Sequence, residues 1–256
     1  MFINNFDPVA FEFFSLEIRW YSLAYIVGIS LGWLYCKKKI IKDGYLLNLF
    51  DDFIAYLILG IILGGRLGYA IFYNFEYYLK NPIEILMVWN GGMSFHGGLI
   101  GVVIAAQLFS KKHKIDKFIF LDLIALTAPI GIFFGRVANF INSELYGIPT
   151  DLPWSVKFIL IDDINRHPSQ LYEAILEGAI LFVLLRYFLE KNFISKNPGK
   201  LSALFLIFYS LFRFGTEFFR SPDPHIGYLF LNLTLGQLLS IFFFVIGIYL
   251  FLNKNK

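Results

Sequence analysis

The sequence predicts an all-α integral membrane protein of seven transmembrane helices, and three observations lead there. Hydrophobic residues make up 57% and charged residues 16%, with a mean hydropathy of +0.64. A soluble domain carries about a quarter charged residues. Seven mostly apolar windows approach the roughly 20 residues that a spanning helix needs. The lysines collect in alternate loops, as a chain crossing a bilayer back and forth requires.

The windows run over about 19–36, 50–73, 93–109, 118–138, 169–189, 201–219 and 233–252. After the first come Lys37, Lys38, Lys39 and Lys42; after the third, Lys111, Lys112, Lys114 and Lys117; after the fifth, Lys191, Lys196 and Lys200; and in the tail, Lys254 and Lys256. The opposite loops hold only Arg19, Lys80, Lys157, Arg166 and Arg220. The positive-inside rule then puts the C-terminus in the cytoplasm and the N-terminus outside. Residues 1–256 read as one transmembrane domain, with the longest polar connection, 139–168, as an external head loop. The start, with Asp7 and Glu12 and no basic residue, does not resemble a cleaved signal peptide. A single cysteine, Cys36, excludes an internal disulfide and a thiolate cluster. His96, His113, His167 and His225 are scattered without metal-ligand spacing, so no metal site is expected.

The polar residues inside these windows ask for an explanation. Arg66, Arg136 and Arg213 lie within or at the ends of apolar spans, where an arginine costs about 2.5–3.5 kcal/mol on insertion scales. Arg213, Glu217 and Arg220 follow i, i+4, i+7 and share one helix face, and Arg136 and Asn139 are i, i+3. Snorkelling helix ends, or ion pairs that lock helices together, account for any one of them. Together they gather toward the external face with few compensating acids in view, which calls for an anion; guanidinium recognises phosphate through a two-pronged donor array. His96 sits between Gly91–Gly92 and Gly97–Gly98. It reads either as a satisfied bundle histidine or as a proton acceptor, and the glycines either as helix packing or as a ligand pressed on the main chain. In "RHPSQLYEA", Ser169 reads as a helix cap and Glu173 as first-turn chemistry. Trp154 and Tyr146 read as interfacial aromatics, and Tyr21 as belt or site.

Four stretches, "GGMSFHGGLIG", "GRVANFINSELYG", "RHPSQLYEA" and "RFGTEFFRSPD", resemble in order and spacing the prolipoprotein diacylglyceryl transferase family. The likeness runs from "RWYSLAY" to the last span. It implies a seven-span bacterial inner-membrane enzyme with its active site toward the periplasm. Such an enzyme moves the diacylglyceryl group of phosphatidylglycerol to the lipobox cysteine thiol of a preprolipoprotein and releases glycerol phosphate. The implied partners are phosphatidylglycerol, the precursor's signal peptide and membrane lipids; no cofactor, metal or nucleic acid is expected. By motif, His96, Arg136, Arg213 and Glu217 carry over as catalytic. Tyr21, Asn139, Glu144, Gly147 and Arg220, with Arg136 and Arg213, carry over as substrate-binding. Ala138 and Ser143 stand where glycine is common, and Tyr146 where tryptophan is frequent.

On that resemblance, Arg136 and Arg213, with Arg220, take the phosphate. Asn139 bonds the headgroup or positions Arg136. Glu144 and Glu217 hold the arginines or orient the glycerol hydroxyls, and Gly147 serves backbone geometry. The thiol proton goes to His96, or the arginine field acidifies the thiol without a base. The rival readings are a small-anion transporter or flippase lined by the same arginines, with Arg66 and Tyr69 as its deeper residues, and a phospholipid-group transferase with another acceptor.

Overall fold

The computed structural model describes residues 2–14, 16–189, 197–222 and 227–253. His225, Lys191, Lys196, Lys254 and Lys256 lie outside the described residues. The chain is mostly helical and forms two compact units, residues 1–35 with 122–256, and residues 36–121.

In the larger unit, β1 (Phe2–Asn4) and the hairpin β2 (Val9–Phe13) and β3 (Leu16–Arg19) lead into α1 (Trp20–Tyr35). Most of α5 (Lys117–Ile141) belongs here. Then come β4 (Val156–Phe158), β5 (Asn165–Arg166), α6 (Ser169–Glu173), a π-helical segment (Ala174–Ile180), α7 (Leu181–Leu189), α8 (Lys200–Thr216) and α9 (Leu235–Asn253). In the smaller unit are α2 (Gly44–Phe72), α3 (Phe75–Lys80) and α4 (Phe95–His113). Each of the seven apolar windows is thus mainly helical. Among the described residues, four helices are long and apolar enough to cross a membrane: those at Gly44–Phe72, Lys117–Ile141, Lys200–Phe219 and Leu235–Asn253.

The all-α expectation needs amending at the head. β1 pairs in parallel with β4, which pairs antiparallel with β5. Phe140, Val156 and Phe158 form a buried cluster under this sheet, with Tyr146 and Leu171 packed on it. Asn4 is fully buried and donates from Nδ2 to the Phe140 carbonyl at 2.6 Å. The N-terminal strand and the 139–168 segment are therefore one folded piece. Strands of two to five residues carry too little alternation for the sequence to announce them.

Helix ends are tied by specific side chains. The buried Asp122 of α5 accepts from Gly199 N and Ser202 N, both at 2.8 Å, so a carboxylate from one helix caps the start of α8. Thr234 and Gln237 bond reciprocally at the start of α9.

Candidate active site

The site is built where α5, α6, the C-terminal end of α8 and the turn after it converge. Gly178 makes the approach possible, because a Cβ there would lie 2.7 Å from Phe133 Cβ and 2.9 Å from its Cα. With α5 and the π-helical segment that close, Arg136, one turn beyond Phe133, meets carboxylates from the other helix. Arg136 Nε lies 2.8 Å from Glu173 Oε2, and Nη2 lies 3.5 Å from Glu177 Oε2. Arg213 Nη1 reaches Glu173 Oε1 at 2.6 Å and Arg213 Nη2 reaches Glu217 Oε2 at 2.6 Å. Arg220 Nη1 stands 3.7 Å from Glu173 Oε1. Thr234 donates to Glu217 Oε1 at 2.9 Å and Thr216 lies 3.1 Å from Glu177 Oε1.

This corrects the expectation that acids are scarce. Three arginines face three glutamates, and two of those, Glu173 and Glu177, were not read from the sequence as site residues. Glu173 is a shared counter-charge rather than a helix-start residue. Ser169 likewise does not cap α6; it donates to the Leu145 carbonyl at 2.9 Å, and Pro168 holds the cap position. The counter-charges do not use up the donors. Arg136 keeps 17% of its side chain exposed while Glu173 and Glu177 show none, and no described residue accepts from its Nη1.

Glu144 pairs with no arginine among the described residues. Its carboxylate accepts from Asn139 Nδ2 at 2.9 Å and faces Asn142 Nδ2 at 3.4 Å. The flanking Ser143 and Leu145 take left-handed backbone, φ 58° and 56°, a conformation that costs a side-chain-bearing residue about 1–2 kcal/mol. Gln170 Nε2 holds the turn by donating to the Glu144 carbonyl at 2.6 Å. A left-handed position 143 explains why glycine suits it.

Gly147 acts through its backbone. Its N–H donates to the His167 carbonyl at 3.0 Å, and Ile148 N donates to the Phe219 carbonyl at 3.0 Å. A Cβ on Gly147 would lie 2.6 Å from both His167 Cβ and the Phe219 carbonyl oxygen. The strand-like bridge Gly147–Arg220 that results fixes where Arg220 emerges. Tyr21 has its hydroxyl 3.5 Å from that of Tyr25 and lies within electrostatic reach of Arg136 and Glu144.

In the head, Arg166 donates to Asp162 Oδ2 at 2.5 Å and stacks 4.8 Å over Tyr146; hydrogen bonding to Arg166 holds the Asp162 carboxyl below its ordinary range. Trp154 Nε1 donates to the Tyr172 hydroxyl at 2.8 Å, and that hydroxyl lies 3.1 Å from His167 Nδ1. Burial pushes His167 below the ordinary imidazole value. Trp154, His167, Tyr172, Leu176, Thr216 and Phe219 border an open apolar cavity of about 490 Å³.

His96 belongs to the smaller unit, in the first turn of α4 behind the Ser94 cap, and is half-buried. Its neighbouring glycine Gly97 packs the helix: a Cβ there would lie 2.9 Å from Gly68 Cα of α2. Arg66, in the same unit, is turned to main-chain carbonyls. Its buried guanidinium donates to the carbonyls of Ile85, Glu84 and Met87 at 2.6–3.0 Å and to those of Gly91 and Gly92, with Tyr78 5.2 Å away.

Residues 8–253 match the prolipoprotein diacylglyceryl transferase family. The chain is 49% identical to the phosphatidylglycerol–prolipoprotein diacylglyceryl transferase of Rickettsia akari, covering 100% of this chain and 99% of that protein. It is 50% identical to the protein of the same name from Rickettsia bellii, covering 100% and 98%. It is also 50% identical to that of Azospirillum brasilense, covering 98% and 95%. A family match over residues 8–253, with relatives near 50% identical across nearly their whole length, places this chain in the prolipoprotein diacylglyceryl transferase family.

Proposed function

We propose that this protein transfers the diacylglyceryl group of phosphatidylglycerol to the lipobox cysteine of preprolipoproteins. The observation that carries the reading is Arg136, charge-balanced from behind by Glu173 and Glu177 yet with its Nη1 donors unclaimed among the described residues. That arrangement suits a phosphodiester monoanion. Family membership names the reaction.

In this reading the thiol gives its proton to His96, because the thiolate is the nucleophile. Sulfur attacks the glyceryl carbon next to the phosphate. A C–S bond forms, the C–O bond breaks, and its electron pair leaves with glycerol phosphate. Arg136 and Arg213, with Arg220, take up the charge that grows on the phosphate, and donors held ready for that charge act most strongly in a site shielded from water. Glu217 holds Arg213. Asn139 and Glu144, bonded to each other, meet the glycerol hydroxyls, with Tyr21 beside them. Gly147 supplies the backbone on which Arg220 is placed.

The chain works as one catalytic domain of seven spans in the bacterial inner membrane. Its N-terminus and the 139–168 head lie in the periplasm, and its C-terminus in the cytoplasm. The lysine asymmetry supports this, and so does the β1–β4 pairing, which ties the N-terminus to the head.

The test is reconstitution with phosphatidylglycerol and a lipobox peptide, read by mass for an added diacylglyceryl group. A Cys-to-Ser peptide should gain nothing. Arg136→Ala should abolish transfer while insertion persists; wild-type turnover in that variant defeats the phosphate assignment. His96→Gln should stop turnover more than lipid binding. An unchanged rate and pH profile would remove His96 as the base.

A further inference from the structure

We propose that Glu173 is a positioning residue for the transfer, setting the spacing and presented edge of all three arginines. The inference rests on the transferase reading above. Arg136, Arg213 and Arg220 come from three elements, and all three converge on one carboxylate. Oε2 meets Arg136 Nε at 2.8 Å, while Oε1 meets Arg213 Nη1 at 2.6 Å and faces Arg220 Nη1 at 3.7 Å. Glu173 is wholly buried, so it touches no substrate. Three guanidiniums repel one another, and a single shared carboxylate can gather them only at the distance its own atoms dictate.

The atom it engages on Arg136 is what gives this chemical consequence. Arg136 approaches Glu173 through Nε, at 2.8 Å, and Glu177 through Nη2, at 3.5 Å, which leaves Nη1 without a carboxylate contact among the described residues. The other carboxylates are engaged differently. Glu177 stands at 3.5 and 3.8 Å from Arg136 and Arg213, and Glu217 contacts Arg213 and Thr234. The backbone also protects the position. Glu173 ends the α-helical turn just before the π-helical segment at Ala174–Ile180. Wide turns of this kind recur at functional sites.

The discriminating variant is Glu173→Asp, which keeps the negative charge and withdraws it by one methylene. Misplacement of catalytic groups by about 1 Å can cost on the order of 10²-fold in rate. In the full-length protein with phosphatidylglycerol and a lipobox peptide, Glu173→Asp should lower kcat by roughly tenfold or more. KM for phosphatidylglycerol should stay within about twofold, since the cluster's charge is unchanged. Rates are referred to the folded fraction by size-exclusion and thermal unfolding. Glu173→Gln should lower kcat equally and tighten inhibition by glycerol phosphate, because the arginines lose their counter-charge. Wild-type kcat in Glu173→Asp, or a raised KM with unchanged kcat, overturns the inference. If wild-type protein forms no adduct, the transferase reading itself fails, whatever the variants do. If Glu173→Gln does not fold, the kcat and KM of Glu173→Asp still decide.

Discussion

Arg213 and Glu173 meet at 2.6 Å across 40 residues of sequence, and the same arginine holds Glu217, four residues along its own helix, at 2.6 Å. One guanidinium thereby bridges a distant carboxylate and a local one. Breaking a buried pair from one side leaves an uncompensated charge, at about 3–5 kcal/mol. Arg213→Ala strips both Glu173 and Glu217 of their shortest contact. It should lower the unfolding temperature in detergent markedly and abolish transfer. Arg213→Lys should recover stability better than activity, because an ammonium cannot engage two carboxylates with a planar fork.

Gly147→Ala tests the backbone role of that glycine. The methyl group would press on His167 and the Phe219 carbonyl, both at 2.6 Å. Overpacking of this kind costs about 1–3 kcal/mol. Hydrogen exchange should quicken at residues 146–148, 166–168 and 219–221, and activity should fall as Arg220 shifts. Unchanged exchange would show that the three segments yield without cost.

Ser143→Gly tests the strained turn. Ser143 sits at φ 58°, and its buried hydroxyl has no hydrogen-bond partner among the described residues. Glycine relieves a left-handed penalty of about 1 kcal/mol, part of which returns as unfolded-chain entropy. A small rise in thermal stability with transfer retained is expected; a loss of stability would mean the hydroxyl is bonded after all.

Acidification should loosen the head before it touches anything else there. His167 is 7% exposed, and burial lowers its proton affinity in the folded state. The unfolded chain then binds the proton more readily. Stability from this group is fully present above the unfolded value of 6.5 and is lost as pH falls through the lower folded value. The Asp162 carboxyl, also depressed, loses its contribution only below its ordinary 3.8. Hydrogen exchange over residues 146–172 between about pH 7.5 and 5 should therefore report His167 alone, and His167→Gln should flatten the profile.

Local chemistry was readable from the residues alone. An apolar window is a property of consecutive residues, so the helices at Gly44–Phe72 and Leu235–Asn253 follow from composition. Arg213–Glu217 is an i, i+4 pair on one helix and could be placed by counting. Glu173 could not. Its neighbours Ser169 and Gln170 look like helix-start chemistry, and nothing local says that Arg136 and Arg213 will face it. The one available signal was a carboxylate within an otherwise apolar window, and the same signal held for Glu177. Arg66 shows the converse: an arginine in an apolar window, ambiguous from the sequence, is engaged by backbone carbonyls.

The amino-acid sequence by itself determined that this chain is a helical membrane protein and which family it joins. Hydropathy and motif spacing are local and additive. The tertiary structure alone decided which carboxylate each arginine meets, that the N-terminal strand completes the head sheet, and that Gly147 must lack a side chain. Those outcomes depend on chain segments tens to more than a hundred residues apart arriving within a few ångströms, where charge pairing and steric exclusion act.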